Sequence, residues 1–287
     1  MRGRFTFEVE VNLKRSRSII QLPDREFRTP VKTVRAGAID GIHDVVVLAC
    51  KAYDLEAAID DFAPALKPDG AVLPVLNGVN HIAMLSDRLG ADRVLGGVTQ
   101  FLVNRTPDGD IVTTSHAAVA TYIGELTGEQ TSRYEAIVAA LAAGGAQCTL
   151  SATILTEMWT KFSGAGPSFA VAALLQVRAR EVAATPAGAD IVAAMFDESA
   201  RICIAEGFPP PDWMRDFVIQ MWCIPGSDYG PSLLADIENG RPTEGEHVVG
   251  DLVRRAGRLG LDAPTTRAAL CRLQIYEARR RAGVATA

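Results

Sequence analysis

No stretch of this chain approaches the roughly 18–20 consecutive apolar residues that a membrane-spanning helix requires. Nor is there a basic surplus. Lys and Arg number 29 against 34 Asp and Glu, for a formal net charge of -5, which removes the electrostatic footprint of a nucleic-acid binder. The five cysteines (Cys50, Cys148, Cys203, Cys223, Cys271) are widely spaced, with no C-x-x-C pair. An odd count without a framework fits reduced thiols rather than disulfides or zinc. The four histidines are isolated in sequence, none at ligand spacing from another, so each reads as surface or structural and no metal site is expected. No charged-then-apolar leader is present, which makes a cytoplasmic location the expectation. Internal repeats, coiled-coil heptads and low-complexity tracts are also missing.

What remains is a chain of 287 residues, 48% hydrophobic, long enough for one large domain or two ordinary ones. Its pattern changes near residue 150. Before that point short apolar runs alternate with helical stretches. Asp44 to Cys50 is continuously apolar after its first residue, as in a strand buried on both faces of a parallel sheet. A helix-spaced segment follows from Asp54, a possible N-cap, to Leu66. Lys67-Pro-Asp-Gly70 reads as a turn, Ala71 to Leu76 as the next strand, and His81 to Leu89 as a helix. Strand, helix, strand, helix at this spacing is a parallel α/β pattern. Val94 to Val103, Asp110 to Thr114 and Ala118 to Ile123 read as further strands without long helices between them, an antiparallel or mixed margin to the sheet. From about Ser151 the pattern is almost wholly helical, broken at Gly166-Pro167, Thr185-Pro186, 208–211, 224–226 and Ala263-Pro264. The expected architecture is an α/β, Rossmann-like parallel-sheet domain over 1–150 followed by an all-helical domain over 151–287.

Four positions carry polar chemistry at informative places, and each has a bland alternative. Lys51 ends a buried strand, at the edge where doubly wound sheets collect ligands, yet strand-end lysines are commonly only surface residues. Asn77-Gly78 ends the following strand on the same edge, although Asn-Gly by itself is a turn signal. Lys161 lies beside the helical stripe of Leu155, Met158, Trp159 and Phe162, where a lysine either snorkels to water or, held in a cleft, becomes a proton donor. Glu244 follows Thr243, a candidate cap for a helix through Val248, Leu252, Leu259 and Leu261. It suits either a carboxylate partner for Lys161 or a first-turn acid favoured by the helix dipole.

The run Asp236-Ile-Glu-Asn-Gly240-Arg241-Pro-Thr243-Glu244, with Ser232 ahead of it, Lys51-Ala-Tyr-Asp, Asn77-Gly78 and Trp159-Thr-Lys161, resembles the ketopantoate reductases (2-dehydropantoate 2-reductases). The resemblance covers about residues 15 to 280. It implies NADPH-dependent reduction of a small-molecule 2-keto acid to the 2-hydroxy acid, as in pantothenate biosynthesis. By that resemblance Lys161 and Glu244 are catalytic, Lys161 protonating or polarising the ketone oxygen with Glu244 in support. Ser232 and Asn77 bind substrate, Ser232 holding its carboxylate, while Lys51, Asn77 and Glu244 face the cofactor. No nucleic-acid or membrane partner is implied, and a homodimer is permitted.

Two departures from the family pattern shape the expectation. Asparagines four and eight residues after the catalytic lysine are replaced by Ala165 and Phe169, which points to a bulkier or more apolar keto acid, because lost polar contacts change substrate preference strongly. The G-x-G-x-x-G loop that brings a pyrophosphate to a helix N-terminus does not occur before Lys51. The opening Phe5 to Val11 alternates apolar and polar residues, as an edge strand does, and not as the dry central strand that such a loop follows. The expectation is a truncated sheet lacking its first strand, with weak NADPH binding. The alternative is a non-catalytic remnant acting as a binding protein or having no activity.

Overall fold

The computed structural model describes residues 17–21, 26–30, 34, 38–39, 42–99, 104–105, 111–112, 121–143 and 147–283. The Phe5 to Val11 expectation lies outside them, as do most of Val94 to Val103 beyond residue 99 and the ends of the two strand expectations that follow. The chain divides into two compact units. One comprises Met1–Ala49, Glu56–Val75 and Leu85–Ile154, and the other Cys50–Leu55, Leu76–Met84 and Leu155–Ala287.

In the first unit β1 (Arg17–Gln21) and β2 (Glu26–Pro30) form an antiparallel pair. β3 (His43–Leu48) leads through a 3-10 turn into α1 (Leu55–Phe62), and the chain returns as β4 (Leu66–Pro74), parallel to β3. This is the βαβ unit that the alternation of patterns predicts. α2 (Asn80–Leu89), whose residues up to Met84 belong to the second unit, follows, then β5 (Leu95–Thr99), β6 (Asn104–Arg105), β7 (Ile111–Val112), β8 (Thr121–Glu125), α3 (Ser132–Ala143) and β9 (Cys148–Leu150). β8 pairs antiparallel with β5 and parallel with β9, which makes a separate three-stranded sheet of mixed direction, linked to β4, among the described residues, by the single bridge Val72–Val94. The core gathers Ala71, Leu73, Leu95 and Ile123 from the strands under Tyr134, Ile137 and Val138 of α3.

Two details differ from the sequence reading. Lys67 to Gly70 does not turn the chain. These residues sit inside β4, where the four residues between Leu66 and Ala71 face only Asp44 between His43 and Val45. The surplus bulges outward, exposing Pro68 and Asp69, while pairing resumes at Ala71. A bulge accommodates the same Pro-Asp-Gly chemistry as a turn without ending the strand. The second difference concerns β3. β4 is buried throughout from Gly70 to Pro74, but β3 is not dry on both faces, since Val47 is 45% exposed. Among the described residues β3 pairs with β4 alone.

The second unit holds α4 (Ile154–Leu175), α5 (Ala179–Ala183), α6 (Gly188–Ala205), α7 (Met214–Cys223), α8 (Ser232–Glu238), α9 (Gly245–Leu259) and α10 (Pro264–Arg281). The expected breaks at Thr185-Pro186, 208–211, 224–226 and Pro264 all fall at helix boundaries. The one at Gly166-Pro167 does not, because α4 runs through it. An internal proline removes one backbone hydrogen bond and costs about 3 kcal/mol, yet every residue from Gly166 to Ala173 is buried, and packing on that scale outweighs it.

Trp159 ties this unit together. Its ring stacks on Phe208 at 5.0 Å, and the Arg255 guanidinium lies over it at 4.9 Å. Arg255 in turn pairs with Asp251 and Glu206, so α4, α6 and α9 share one interlock. Gly245 opens α9 against α10, and a Cβ there would stand 1.8 Å from Leu273 Cδ2. That approach requires glycine. Among the described residues no helix is long and apolar enough to cross a membrane, and no group of three or more His, Cys, Asp or Glu is arranged to hold a metal ion.

Candidate active site

Glu244 is the hub of a polar cluster within the helical unit. It is the N-cap residue of α9 and is 5% exposed. Its Oε1 accepts the backbone N–H of Ala52 at 3.1 Å, and its Oε2 accepts Lys51 Nζ at 3.2 Å and Asn77 Nδ2 at 3.3 Å. The two segments that follow β3 and β4 in sequence therefore converge on one carboxylate. Thr243 helps to place it. Its backbone N–H and hydroxyl both donate to Glu277 Oε1 at 2.8 Å, which anchors the start of α9 to α10.

Lys51 Nζ also contacts Asp236 Oδ2 at 3.0 Å. Burial pulls the Lys51 pKa down, but the charges of Glu244 and Asp236 and their hydrogen bonds outweigh it, and the net direction is upward. Lys51 stays a cation across the physiological range. Its side chain is 38% exposed, so solvent screens the pairs and their stabilisation is modest. Asp236 is a member of the site that the sequence reading quoted within its motif but gave no role. Its orientation toward Lys51 is a tertiary fact that spacing cannot reveal.

Lys161 lies on α4, two residues after the locked Trp159. Burial drives its pKa downward, and the charge of Glu244 opposes that shift. The charge of Glu244 acts on Lys161, while the hydrogen-bonding positions of Glu244 noted above go to Lys51, Ala52 and Asn77. An amine with depressed proton affinity beside a carboxylate is the arrangement a general acid needs near neutral pH. Ala165 and Phe169 continue the α4 face of Lys161 at helical spacing. Phe169 is buried at 5% exposure, which gives this face an apolar character. Ser232 is the first residue of α8, exposed and four residues before Asp236.

Two histidines that are isolated in sequence meet in space beside the cluster. His81 in the first turn of α2 and His247 in the first turn of α9 stack at 5.9 Å with 24° between their planes. His81 is fully buried, and its pKa is lowered to about 3 by burial, by His247 and by Lys161. Burial also lowers that of His247. The pair is neutral at physiological pH. A separation of 166 positions in sequence hides such a contact from any motif.

The donor set fits one end of a nicotinamide cofactor. A cation and a carboxamide follow parallel strands β3 and β4 at their carboxyl ends, the edge at which doubly wound sheets receive nucleotides. A G-x-G-x-x-G cradle for the pyrophosphate does not occur among the described residues.

Comparison with known proteins gives the family and the fold. Residues 5–128 match the family described as Ketopantoate reductase PanE/ApbA, and residues 153–277 match its C-terminal part. An uncharacterized oxidoreductase of Bacillus subtilis (strain 168), YkpB, is 31% identical over 238 residues, which cover 83% of this chain and 78% of that protein. A 2-dehydropantoate 2-reductase of Halobacterium salinarum is 30% identical over 226 residues, 78% of this chain and 73% of the other. In overall fold the chain is similar to a D-mandelate dehydrogenase solved with NADH and anilino(oxo)acetate, at a TM-score of 0.80 and 19% identity over 92% of this chain and 86% of that one.

Proposed function

This chain belongs to the ketopantoate reductase family, and from that premise we propose that it reduces the ketone of a 2-keto acid to the 2-hydroxy acid, with NADPH as the reductant. The observation that carries the proposal is the convergence of Lys51, Asn77 and Glu244 on one point, with Lys161 electrostatically coupled to the same carboxylate. Lys51, Asn77 and Glu244 would hold the nicotinamide nucleotide, which would supply, when bound, the hydride that the carbonyl carbon takes up. Lys161 Nζ gives a proton to the carbonyl oxygen, and its lowered proton affinity makes that transfer easier. Glu244 opposes the loss of that proton before substrate arrives, and it fixes Asn77 and Lys51 at the end of the site that meets the cofactor. Ser232, on an exposed helix start, holds the substrate carboxylate.

Ala165 and Phe169 favour a keto acid with an apolar or aromatic side chain over ketopantoate. A hydrophobic wall has no polar group to satisfy a substrate hydroxyl, and an unpaired hydroxyl lowers binding. The D-mandelate dehydrogenase likeness is consistent with an aromatic substrate, and its NADH makes the choice of nicotinamide an open comparison. The test is a steady-state screen of the purified chain with NADPH and with NADH against ketopantoate, branched aliphatic 2-keto acids and phenylglyoxylate, with the hydroxy acid identified as product. Reduction of the apolar acids ahead of ketopantoate supports the proposal. A folded chain that turns over none of them with either nucleotide contradicts it and favours the binding-protein alternative.

A further inference from the structure

Asp236 has no step in the reaction above, yet it grips a residue of the nucleotide end of the site. Its backbone is fixed by the way α8 closes. Gly240 takes a left-handed φ of +64°. The Gly240 N–H donates to the Ile237 carbonyl at 3.0 Å, and the Arg241 N–H donates to the Asp236 carbonyl at 2.8 Å. This pair of bonds ends a helix in the manner that a left-handed glycine permits. The buried Tyr276 ties the same corner to α10, its hydroxyl donating to the Arg241 carbonyl at 2.8 Å.

The carboxylate on this rigid mount is poorly placed for stability. It is 8% exposed and lies in the last turn of α8, where the free carbonyls disfavour negative charge. Among the described residues one hydrogen-bond donor reaches it, Lys51 Nζ at 3.0 Å, whereas Glu244 receives three. That donor is partly in water, so the pair stabilises the fold little. An apolar residue at 236 would be buried without a charge to desolvate, so stability alone does not account for an acid here.

What the contact does is order Lys51. A partly exposed lysine side chain keeps many rotamers, and freezing them on meeting a ligand weakens binding. Asp236 freezes them beforehand. It also leaves the ammonium a counter-charge if Glu244 Oε2, which Lys51 shares with Asn77, turns to another partner.

We infer that Asp236 is a positioning residue that seats the Lys51 ammonium beside Glu244 and thereby strengthens nucleotide binding. The effect on the nucleotide rests on the 2-keto acid reductase reading, and the seat itself does not. Competitive acetylation of the full folded chain with acetic anhydride, followed by mass spectrometry with Lys67 as internal reference, reads the seat. Asp236→Asn removes the charge and keeps the shape, and it is expected to speed acetylation of Lys51 by about 3–10-fold, because a lysine that loses a nearby carboxylate holds its proton less firmly. An unchanged ratio overturns the inference. Fluorescence titration with NADPH reads the consequence in the wild type, Asp236→Asn, Lys51→Met and the double variant. Asp236→Asn is expected to weaken binding about 10-fold, the order of one charge-assisted contact, with kcat at saturating nucleotide and the melting temperature retained. In the Lys51→Met background the same change is expected to add nothing, since it acts through the missing ammonium. Equal weakening in both backgrounds, or none in either, overturns the inference. If the wild type binds no nucleotide and reduces no 2-keto acid, the functional reading fails, while the acetylation ratio still decides the seat.

Discussion

Glu198 and Glu244 are equally buried carboxylates of the helical unit, each 5% exposed, and they are satisfied in opposite ways. Glu198 accepts the backbone N–H groups of Thr265 and Thr266 at 3.0 and 2.8 Å and the Thr266 hydroxyl at 2.7 Å. These donors belong to the first turn of α10 and are among those that a helix leaves without an internal partner. Glu244 takes one backbone N–H and otherwise a lysine and an asparagine side chain. Fixed donors make a fastener. Side-chain donors make a site whose parts can be re-partnered by a ligand, and burial alone does not separate the two roles.

The sharpest test of that contrast is Lys161→Ala. Loss of a general acid lowers kcat by about 10²–10⁴-fold, and the melting temperature is expected to hold, because the buried amine is itself costly to keep. A comparable loss of activity and of stability would make Lys161 a structural residue. Glu198→Ala should act in the reverse sense. Three donors lose their acceptor, and denaturant unfolding is expected to show a loss of roughly 2–5 kcal/mol, while the folded fraction retains its kcat. A stable Glu198→Ala protein would erase the distinction between fastener and site.

Acid should expose the histidine pair. His81 takes its proton near pH 3 in the folded chain against an ordinary value of 6.5. Between those limits the unfolded state holds more protons, so stability rises with pH and falls on acidification, by about 1.4 kcal/mol per pH unit for one such group. Urea unfolding of the wild type and His81→Phe across the acid range should show that slope in the wild type and its reduction in the variant. The smallest effect is expected for Glu244→Gln. A carboxamide still accepts from Ala52, Lys51 can turn to water, and a stability change below about 1 kcal/mol is expected by the same unfolding measurement.

The same contrast explains what was legible in the sequence. The βαβ unit and the helical half are written in local periodicity, and most helix ends in prolines that cannot continue a turn. α3 was not read, although Tyr134, Ile137, Val138 and Leu141 have helical spacing, because intervening alanines blur its polar face. The Lys67 to Gly70 bulge uses turn residues without turning, and only the resumed pairing at Ala71 reveals it. At Pro167 tertiary burial overrides a local break. In the candidate site, the residues flanked by recognisable runs are legible as candidates: Lys51 and Asn77 after apolar strands, Lys161 and Glu244 beside helical patterns. Asp236 and the two histidines were not given roles, since what defines them is which side chain each meets across long stretches of sequence.

The most direct test of the account is the pH dependence of kcat for 2-keto acid reduction in the wild type and in Glu244→Gln. Activity is lost as pH rises through the pKa of Lys161, because the proton donor is then empty. The Glu244 charge opposes the downward shift of that pKa, so its removal should move the alkaline limb to lower pH while the acid side stays in place. An alkaline limb at the same pH in both proteins would contradict the coupling of Glu244 to Lys161, and with it the assignment of this cluster as the proton-delivering centre.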